Sequence, residues 1–387
     1  MIRVPMTDLA AQHRELKGEI LARWEAILDT GAFVGGSDIE SFEEAFARSC
    51  AAPHCVAVSS GTDALYFIFR ALGLGPGDEV ITVANTFIAT AAAISMAGGR
   101  VVFVDVEPGT CTLDPVRLGA AVTPRTRGIV PVHLFGQTAD MDAINRFAGE
   151  RNLWVVEDAS QAHLAEYHGR PAGSLGVAAA FSFYPAKNLG ACGEAGAVVT
   201  ADRGIASMAR MLRHQGQAGK NDHQVLGTNG RCDTVQAAAL LVKLGRLGDW
   251  NRRRREIAGR YRQRLGTLSG LELPVEGEGR THVYYQFVIR LDRRDEVADL
   301  LRRRGVETAI HYPVPLHRQP PYIELAPPEG ILGVTERCAR RQLSLPIFAE
   351  MTDRQVDLVC SELEKAMEDA QDRLPAKAGS GMKGPGQ

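Results

Sequence analysis

Lys187 stands in the run AFSFYPAKNLGACGEAGAVV, residues 180–199, between aromatic side chains and a cluster of glycines where a strand should continue. A lysine is costly to bury as a cation, so an interior one normally has a lowered pKa or a covalent task such as Schiff-base formation. Ser182 precedes it by five residues. Asp158 closes the apolar run LWVVED, with Gln161 close behind. A carboxylate in that place can hold the positive charge of a protonated ring nitrogen. In VAVSSGTDALYFIF a strand pattern ends in Ser-Ser-Gly-Thr and a helix pattern begins at once. The unpaired N–H groups of a helix start carry partial positive charge and suit a phosphate, Gly61 permits close backbone approach, and Thr62 adds a hydroxyl. Singly, each feature has a plainer reading as a helix cap, a salt bridge or a surface lysine. Together, a phosphate corner, a ring-nitrogen carboxylate and a Schiff-base lysine match the needs of pyridoxal phosphate (PLP), and Phe87 in NTFIAT is placed to stack on its ring.

Such residues need a sheet edge to hold them. From about residue 55 to 200, short apolar runs such as CVAVSS, DEVITV, RVVFVDV and LWVVEDAS alternate with helical ones. That alternation predicts a mostly parallel sheet wrapped by helices, with ligands bound beyond the carboxyl ends of its strands. The residues to inspect are then SSGT, NTF, HLFG and EDASQ. DTVQAAALLVKLGRLGDWNRRRREIAGRYRQRL has apolar spacing at three and four and predicts a long bridging helix. Strand and helix patterns between about 270 and 370 suit a smaller α+β unit. The expected organisation is a large cofactor-binding domain with an N-terminal arm over 1–250, a small domain over 251–373, and a disordered tail over 374–387.

Composition removes several function classes. Lys plus Arg number 44 against 46 Asp plus Glu, a net charge of −2, which gives no electrostatic footprint for nucleic acid or an anionic membrane. The seven cysteines are scattered and without a C-x-x-C, so reduced thiols are expected rather than a disulfide framework or a metal site. With no leader pattern and no membrane-spanning apolar run, a soluble cytoplasmic protein is expected. The Arg252–Arg255 run, answered by Asp249 and Glu256, reads as a solvated face or a dimer contact, and His133 as a buried histidine with local hydrogen bonds.

Taken in order, VPMTDLAAQHRELKGEI, SSGTDAL, GDEVI, TFIAT, PVHLFGQTADMDAI, VVEDASQAH, FSFYPAKNLGACGEAGAVV, GTNGRCDTVQAA, IHYPVPLHRQP and LSLPIF resemble one family over nearly the whole chain. That family is the DegT/DnrJ/EryC1/StrS group of PLP-dependent sugar aminotransferases, within the aspartate aminotransferase superfamily. The resemblance implies a fold type I, aspartate-aminotransferase-like α/β fold, its mostly parallel mixed sheet sandwiched by helices and followed by a smaller C-terminal α+β domain. It implies that Lys187 forms the internal aldimine and Asp158 pairs with the pyridine nitrogen, while Gln161 contacts the ring hydroxyl and Phe87 stacks on the ring. Gly61, Thr62, Asp63 and Ser182 would hold the phosphate, and Asn229 in GTNGR would reach the phosphate of a neighbouring subunit in a homodimer. An amino donor, glutamate in most of the family, would leave pyridoxamine phosphate, and a nucleotide-linked keto sugar would then be aminated, a ping-pong cycle.

For the sugar, the expected contacts are Phe33 in GAFVGG, His163, and His311 and Tyr312 in IHYPVPLHRQP. The pattern is most similar to members that aminate C3 of a dTDP-3-keto-6-deoxyhexose. C4 amination, a UDP-3-keto uronate or an aminocyclitol ketone are the alternatives within the fold, and a non-catalytic PLP-binding regulator is the alternative outside it. The chain departs from the family at Leu164, where glycine usually follows the histidine. A bulky residue there would reshape the sugar pocket or the adjoining turn.

Overall fold

The computed structural model describes residues 2–372, so the expected disordered tail lies outside the described residues. Seven short apolar runs form one sheet: β1 (His54–Val58), β2 (Glu79–Val83), β3 (Arg100–Val104), β4 (Thr126–Val130), β5 (Trp154–Asp158), β6 (Ala178–Ser182) and β7 (Gly196–Thr200). Their spatial order is β1-β7-β6-β5-β4-β2-β3. Every neighbouring pair is parallel except those of β7, which runs antiparallel to both β1 and β6. Two reversals restore direction, so β1 ends at the same edge as β2, β4, β5 and β6.

The sheet is buried on both faces. Successive residues of β6 alternate between cores: Ala178 and Ala180 pack with one set of helices, Ala179 and Phe181 with the other, as the two-residue period of a strand requires. On the first side lie α3 (Gly61–Ala71), α4 (Ile88–Met96) and α6 (Arg203–Arg213), through residues such as Leu65, Phe69, Ile94 and Leu212. On the second lie α2 (Ser37–Ser49), whose Phe42 and Phe46 pack edge-on against Phe183, and α5 (Met141–Gly149). The chain enters this layer through α1 (Leu9–Thr30), whose Leu16 and Ile20 pack on Ala239.

Helix α7 (Thr234–Leu265) is 32 residues, about 48 Å at 1.5 Å per residue. Its Leu240 and Leu247 belong to the sheet's core, and its Ile257, Tyr261 and Leu265 to a second core. That second core joins a three-stranded antiparallel sheet, β8 (Leu271–Glu272), β9 (Phe287–Leu291) and β10 (Gln342–Leu345), to α8 (Arg294–Arg303) and α10 (Asp353–Asp372). Between α8 and β10 runs α9 (Gly333–Arg341). The division expected at residue 250 falls inside the continuous α7. The opening residues, expected with the large unit, instead join the second core: Val4 bridges to Val306 and is fully buried there. Among the described residues no helix is long and apolar enough to cross a membrane.

Where β1 and β6 end and β7 begins, backbone replaces side chain. Gly196 pairs with Val58 on one side and Ser182 on the other. A Cβ on it would lie 2.3 Å from the Ser60 carbonyl carbon and 2.6 Å from the Gly61 nitrogen, atoms with no freedom to move aside. Gly196→Ala is therefore expected to destabilise the fold by about 1–3 kcal/mol through overpacking. A urea unfolding midpoint equal to that of the parent would contradict this close approach.

Candidate active site

The carboxyl edge of the sheet opens into a cleft of about 500 Å³. Its wall is assembled from the ends of different strands: Ser60, Gly61 and Thr62 after β1, Thr86 and Phe87 after β2, Val132 after β4, Asp158, Ser160 and Gln161 at and after β5, and Ser182, Tyr184 and Lys187 at and after β6. Tyr285, His311 and Tyr312 close it from the C-terminal half. Nine of the thirteen residues expected at the site line this cleft.

At one end, Ser60 caps α3, its hydroxyl accepting from the Asp63 N–H at 3.1 Å. A Cβ on Gly61 would come within 2.7 Å of the Ser182 Cβ, so only glycine lets the helix start sit against the strand end. The corner presents helix N–H groups together with the hydroxyls of Ser60, Thr62, Ser160 and Ser182, a set suited to a phosphate.

Deeper in, Asp158 is 5% exposed. Its Oδ2 accepts from Thr90 Oγ1 at 2.7 Å and its Oδ1 from the Ser160 N–H at 3.2 Å. Among the described residues no Lys, Arg or His pairs with it within 4.0 Å. Gln161 is fixed by accepting from the Phe135 N–H at 2.8 Å and donating to the Tyr312 hydroxyl at 3.1 Å. Burial pushes the Tyr312 phenol up, so it stays protonated. Its ring lies 5.9 Å from that of Phe87, which is 55% exposed at the cleft mouth.

Lys187 is half-buried, with Nζ 4.3 Å from the centre of the Tyr285 ring, a cation–π contact that leaves the amine facing the cleft. The loop carrying it is tied down from α7. Asn188 donates to Asn251 Oδ1 at 2.8 Å and to the Val283 carbonyl at 2.9 Å, and Asn251 in turn donates to the His163 carbonyl at 2.9 Å. Lys243, fully buried, donates to the Gly190 carbonyl at 2.7 Å. Burial pulls its pKa down.

Four expected residues lie elsewhere. His163 is fully enclosed between Phe181 and Phe183, with its Nε2 3.0 Å from the Ser182 carbonyl, so it supports the strand end and cannot touch a sugar. The Asp63 carboxylate accepts from Ser59 Oγ and does not line the cleft. Phe33 is exposed beside the start of α7, its carbonyl accepting from the Thr234 N–H. Asn229 is exposed in the segment that bridges to His214. Leu164 takes φ 61°, the left-handed region that favours glycine, and packs on the core under α2; the departure from the family alters a turn rather than the cleft. His133 is buried and accepts from the Ala139 N–H through Nδ1, leaving Nε2–H to donate to Glu157. Arg254 is no part of a solvated face: it is buried and donates to the Tyr284 and Ile347 carbonyls.

These residues fit PLP. The corner that a Cβ at Gly61 would fill suits its phosphate, the cationless Asp158 suits a protonated pyridine nitrogen, and Lys187 supplies the amine.

The profile of the DegT/DnrJ/EryC1/StrS aminotransferase family matches residues 14–364. The chain is 47% identical over 345 residues, 89% of its length and 91% of the relative's, to the dTDP-3-amino-3,4,6-trideoxy-alpha-D-glucose transaminase of Streptomyces venezuelae. Its fold superposes with a TM-score of 0.92 on the crystal structure of S. venezuelae DesV in complex with a ketimine intermediate, at 44% identity, covering 97% of this chain and all of that one. NtdA from Bacillus subtilis, solved with bound cofactor PMP, gives a TM-score of 0.87 at 32% identity, covering 95% of this chain and 86% of that one. The fold and site define an aminotransferase, and the chain belongs to the DegT/DnrJ/EryC1/StrS family, whose members use PLP.

Burial, aided by the charge of Lys187, drives the pKa of His163 down to about 3 and that of His311 to about 4; burial and Arg262 bring His282 to about 3. In the unfolded chain each takes a proton near pH 6.5, so below that pH the unfolded state binds more protons than the folded one. Their stabilisation is complete above about pH 6.5 and is lost as pH falls toward 4 and then 3. His163→Phe is expected to flatten the fall of urea-unfolding stability between pH 6.5 and 4 by up to about 1.4 kcal/mol per pH unit. An unchanged slope would mean that His163 is protonated in the folded state.

Proposed function

We propose that this protein transfers an amino group from L-glutamate to the C3 carbonyl of a dTDP-3-keto-6-deoxyhexose, as a cytoplasmic homodimer with shared active sites. The observation that carries the reading is the dry Asp158 carboxylate, without a cation, in the same cleft as Lys187 and the phosphate-suited start of α3. The name of the S. venezuelae relative supports the sugar class.

Bound PLP supplies an electron sink for the carbanion formed at the amino-bearing carbon. Asp158 would keep the ring nitrogen protonated, with Thr90 and the Ser160 N–H fixing its carboxylate in one orientation. Gly61, Thr62 and Ser182 would hold the phosphate. Phe87 would cover the ring face, and Gln161, already pinned on two sides, would meet the ring hydroxyl. Lys187 Nζ would take the proton from the donor's amino-bearing carbon, and in the second half-reaction would work in the opposite sense on the sugar. The Tyr285 face steadies that amine without neutralising it. His311, held neutral and 2.8 Å from Ser344 Oγ, and Tyr312 face the sugar. Phe33 and Asn229, exposed away from the cleft of their own chain, serve the partner's site, Asn229 at the phosphate.

Lys187→Ala is expected to abolish the visible absorption band of the lysine-bound cofactor and to lower kcat by at least about 10³-fold. In the parent enzyme, glutamate should bleach that band and one 3-keto nucleotide sugar should restore it. A band that survives the substitution would sink the role of Lys187; bleaching without recovery on any 3-keto sugar would overturn the acceptor.

Mixing Lys187→Ala with Asn229→Ala protein should restore part of the activity that each lacks, because the mixed dimer has one site with both residues. No restoration despite subunit exchange, confirmed by mass, would place Asn229 outside the partner's site.

A further inference from the structure

We propose that Cys111 and Cys338 are a peroxide-oxidisable dithiol, a redox modification site that joins the rim of the main sheet to the C-terminal half. Their sulfurs lie 3.6 Å apart and both residues are buried. The approach is built into the fold. Asp105, just past β3, caps α9 by accepting from the Val334 N–H at 2.9 Å and from the Thr335 N–H and hydroxyl at 2.8 Å each. Cys338 sits on that helix, and Cys111 lies in the turn following Asp105, its N–H donating to the Glu107 carbonyl.

The pair is chemically asymmetric. Arg290 Nη1 donates to Cys111 Sγ at 3.0 Å, with Gln342 Nε2 at 3.6 Å. The Cys338 S–H and then the Arg290 charge hold the Cys111 thiol below its ordinary range against burial, while donation to Cys111 and burial push Cys338 up. With the Arg290 guanidinium on its sulfur, Cys111 is the better nucleophile of the pair and Cys338 the thiol that resolves. Cys50, Cys55, Cys232 and Cys360 are all pushed up by burial and stay protonated. Cys111 also lines a crevice of about 10 Å³, with Gly109, Phe135, Val275 and Arg290, the room of roughly one water-sized group.

The step balances with hydrogen peroxide as oxidant. The Cys111 thiolate attacks one peroxide oxygen, the O–O bond breaks, and hydroxide leaves, giving a sulfenic acid. Cys338 then loses its proton and its sulfur attacks that of Cys111; the S–O bond breaks and water leaves. Two thiols are oxidised, one peroxide is reduced to two waters, and the sulfurs close to a bond of about 2.05 Å. The bridge fastens α9, whose Glu336 pairs with His317 and Arg318, the segment that follows His311 and Tyr312 of the cleft.

The test treats purified PLP-loaded enzyme with stoichiometric hydrogen peroxide, blocks remaining thiols with N-ethylmaleimide, and maps unreduced peptides by mass spectrometry. The expected result is one bridged peptide pair, Cys111 to Cys338, lighter by two hydrogens, with the other cysteines still alkylated on denaturation. Cys338→Ser should lose the bridge and leave Cys111 as a sulfenic acid that dimedone traps. Oxidation confined to the part-exposed Cys192, bridging of Cys50 to Cys55, or full alkylation of Cys111 and Cys338 would each overturn the proposal; the parent protein alone suffices for these readings should the variant not fold.

Discussion

A carboxylate removed from water and left without a cation costs several kcal/mol, and the cleft is organised around that cost at Asp158. The two hydrogen bonds it accepts, from Thr90 and from the Ser160 backbone, fix its direction but leave its charge unanswered. Its backbone is pinned as firmly, with its N–H donating to the Pro131 carbonyl and its carbonyl accepting from the His133 N–H. The group is thus aimed before any ligand arrives, and a flat cation in the cleft gains the attraction without reorganising the protein. Residues around it supply shape rather than opposite charge: Gln161 is held by one bond to Phe135 and one to Tyr312, and Lys187 rests on Tyr285.

A second constraint is steric. The start of α3, the end of β6 and the start of β7 occupy one corner, where Gly61 abuts Ser182 and Gly196 abuts Ser60. No side chain fits between these backbones, which is why hydroxyls and N–H groups rather than lysines and arginines line that end. Neutral donors would hold a phosphate there without adding a cation to compete with a pyridine nitrogen for Asp158.

Much of this is legible in the sequence. Parallel strands buried on both faces leave uninterrupted apolar runs, and the polar residues ending those runs lie along one edge; hence Gly61, Thr62, Phe87, Asp158, Gln161, Ser182 and Lys187 could be brought together from local pattern. Contacts made by distant chain left no comparable trace. Tyr285 is one aromatic among several in HVYYQFVIRL, and only tertiary packing sets its ring under Lys187. Thr90 reads as an ordinary first-turn residue until α4 lays its hydroxyl on Asp158. His163 misled because proximity in sequence to Asp158 says nothing about which way a side chain points; the strand end turns it into the aromatic core. Lys243 had a readable signal, a lone lysine in AAALLVKL, but its target is a backbone carbonyl with no pattern of its own.

Helix α7 has a consequence for anyone who recombines such enzymes. Lys243, Asn251 and Arg254 are buried along it, and they grip the Lys187 loop, the His163 turn, the backbone beside Tyr285 and the strand exit at Ile347. A single helix therefore gauges the spacing between the Lys187 loop and the half of the chain that carries Tyr285, His311 and Tyr312. A crossover cut near residue 250 would splice two halves of that gauge from different parents, and any mismatch in helical phase would rotate Arg254 off its carbonyls. Chimeras that exchange the C-terminal half should be joined beyond Leu265, where α7 has ended and the chain turns through Gly266.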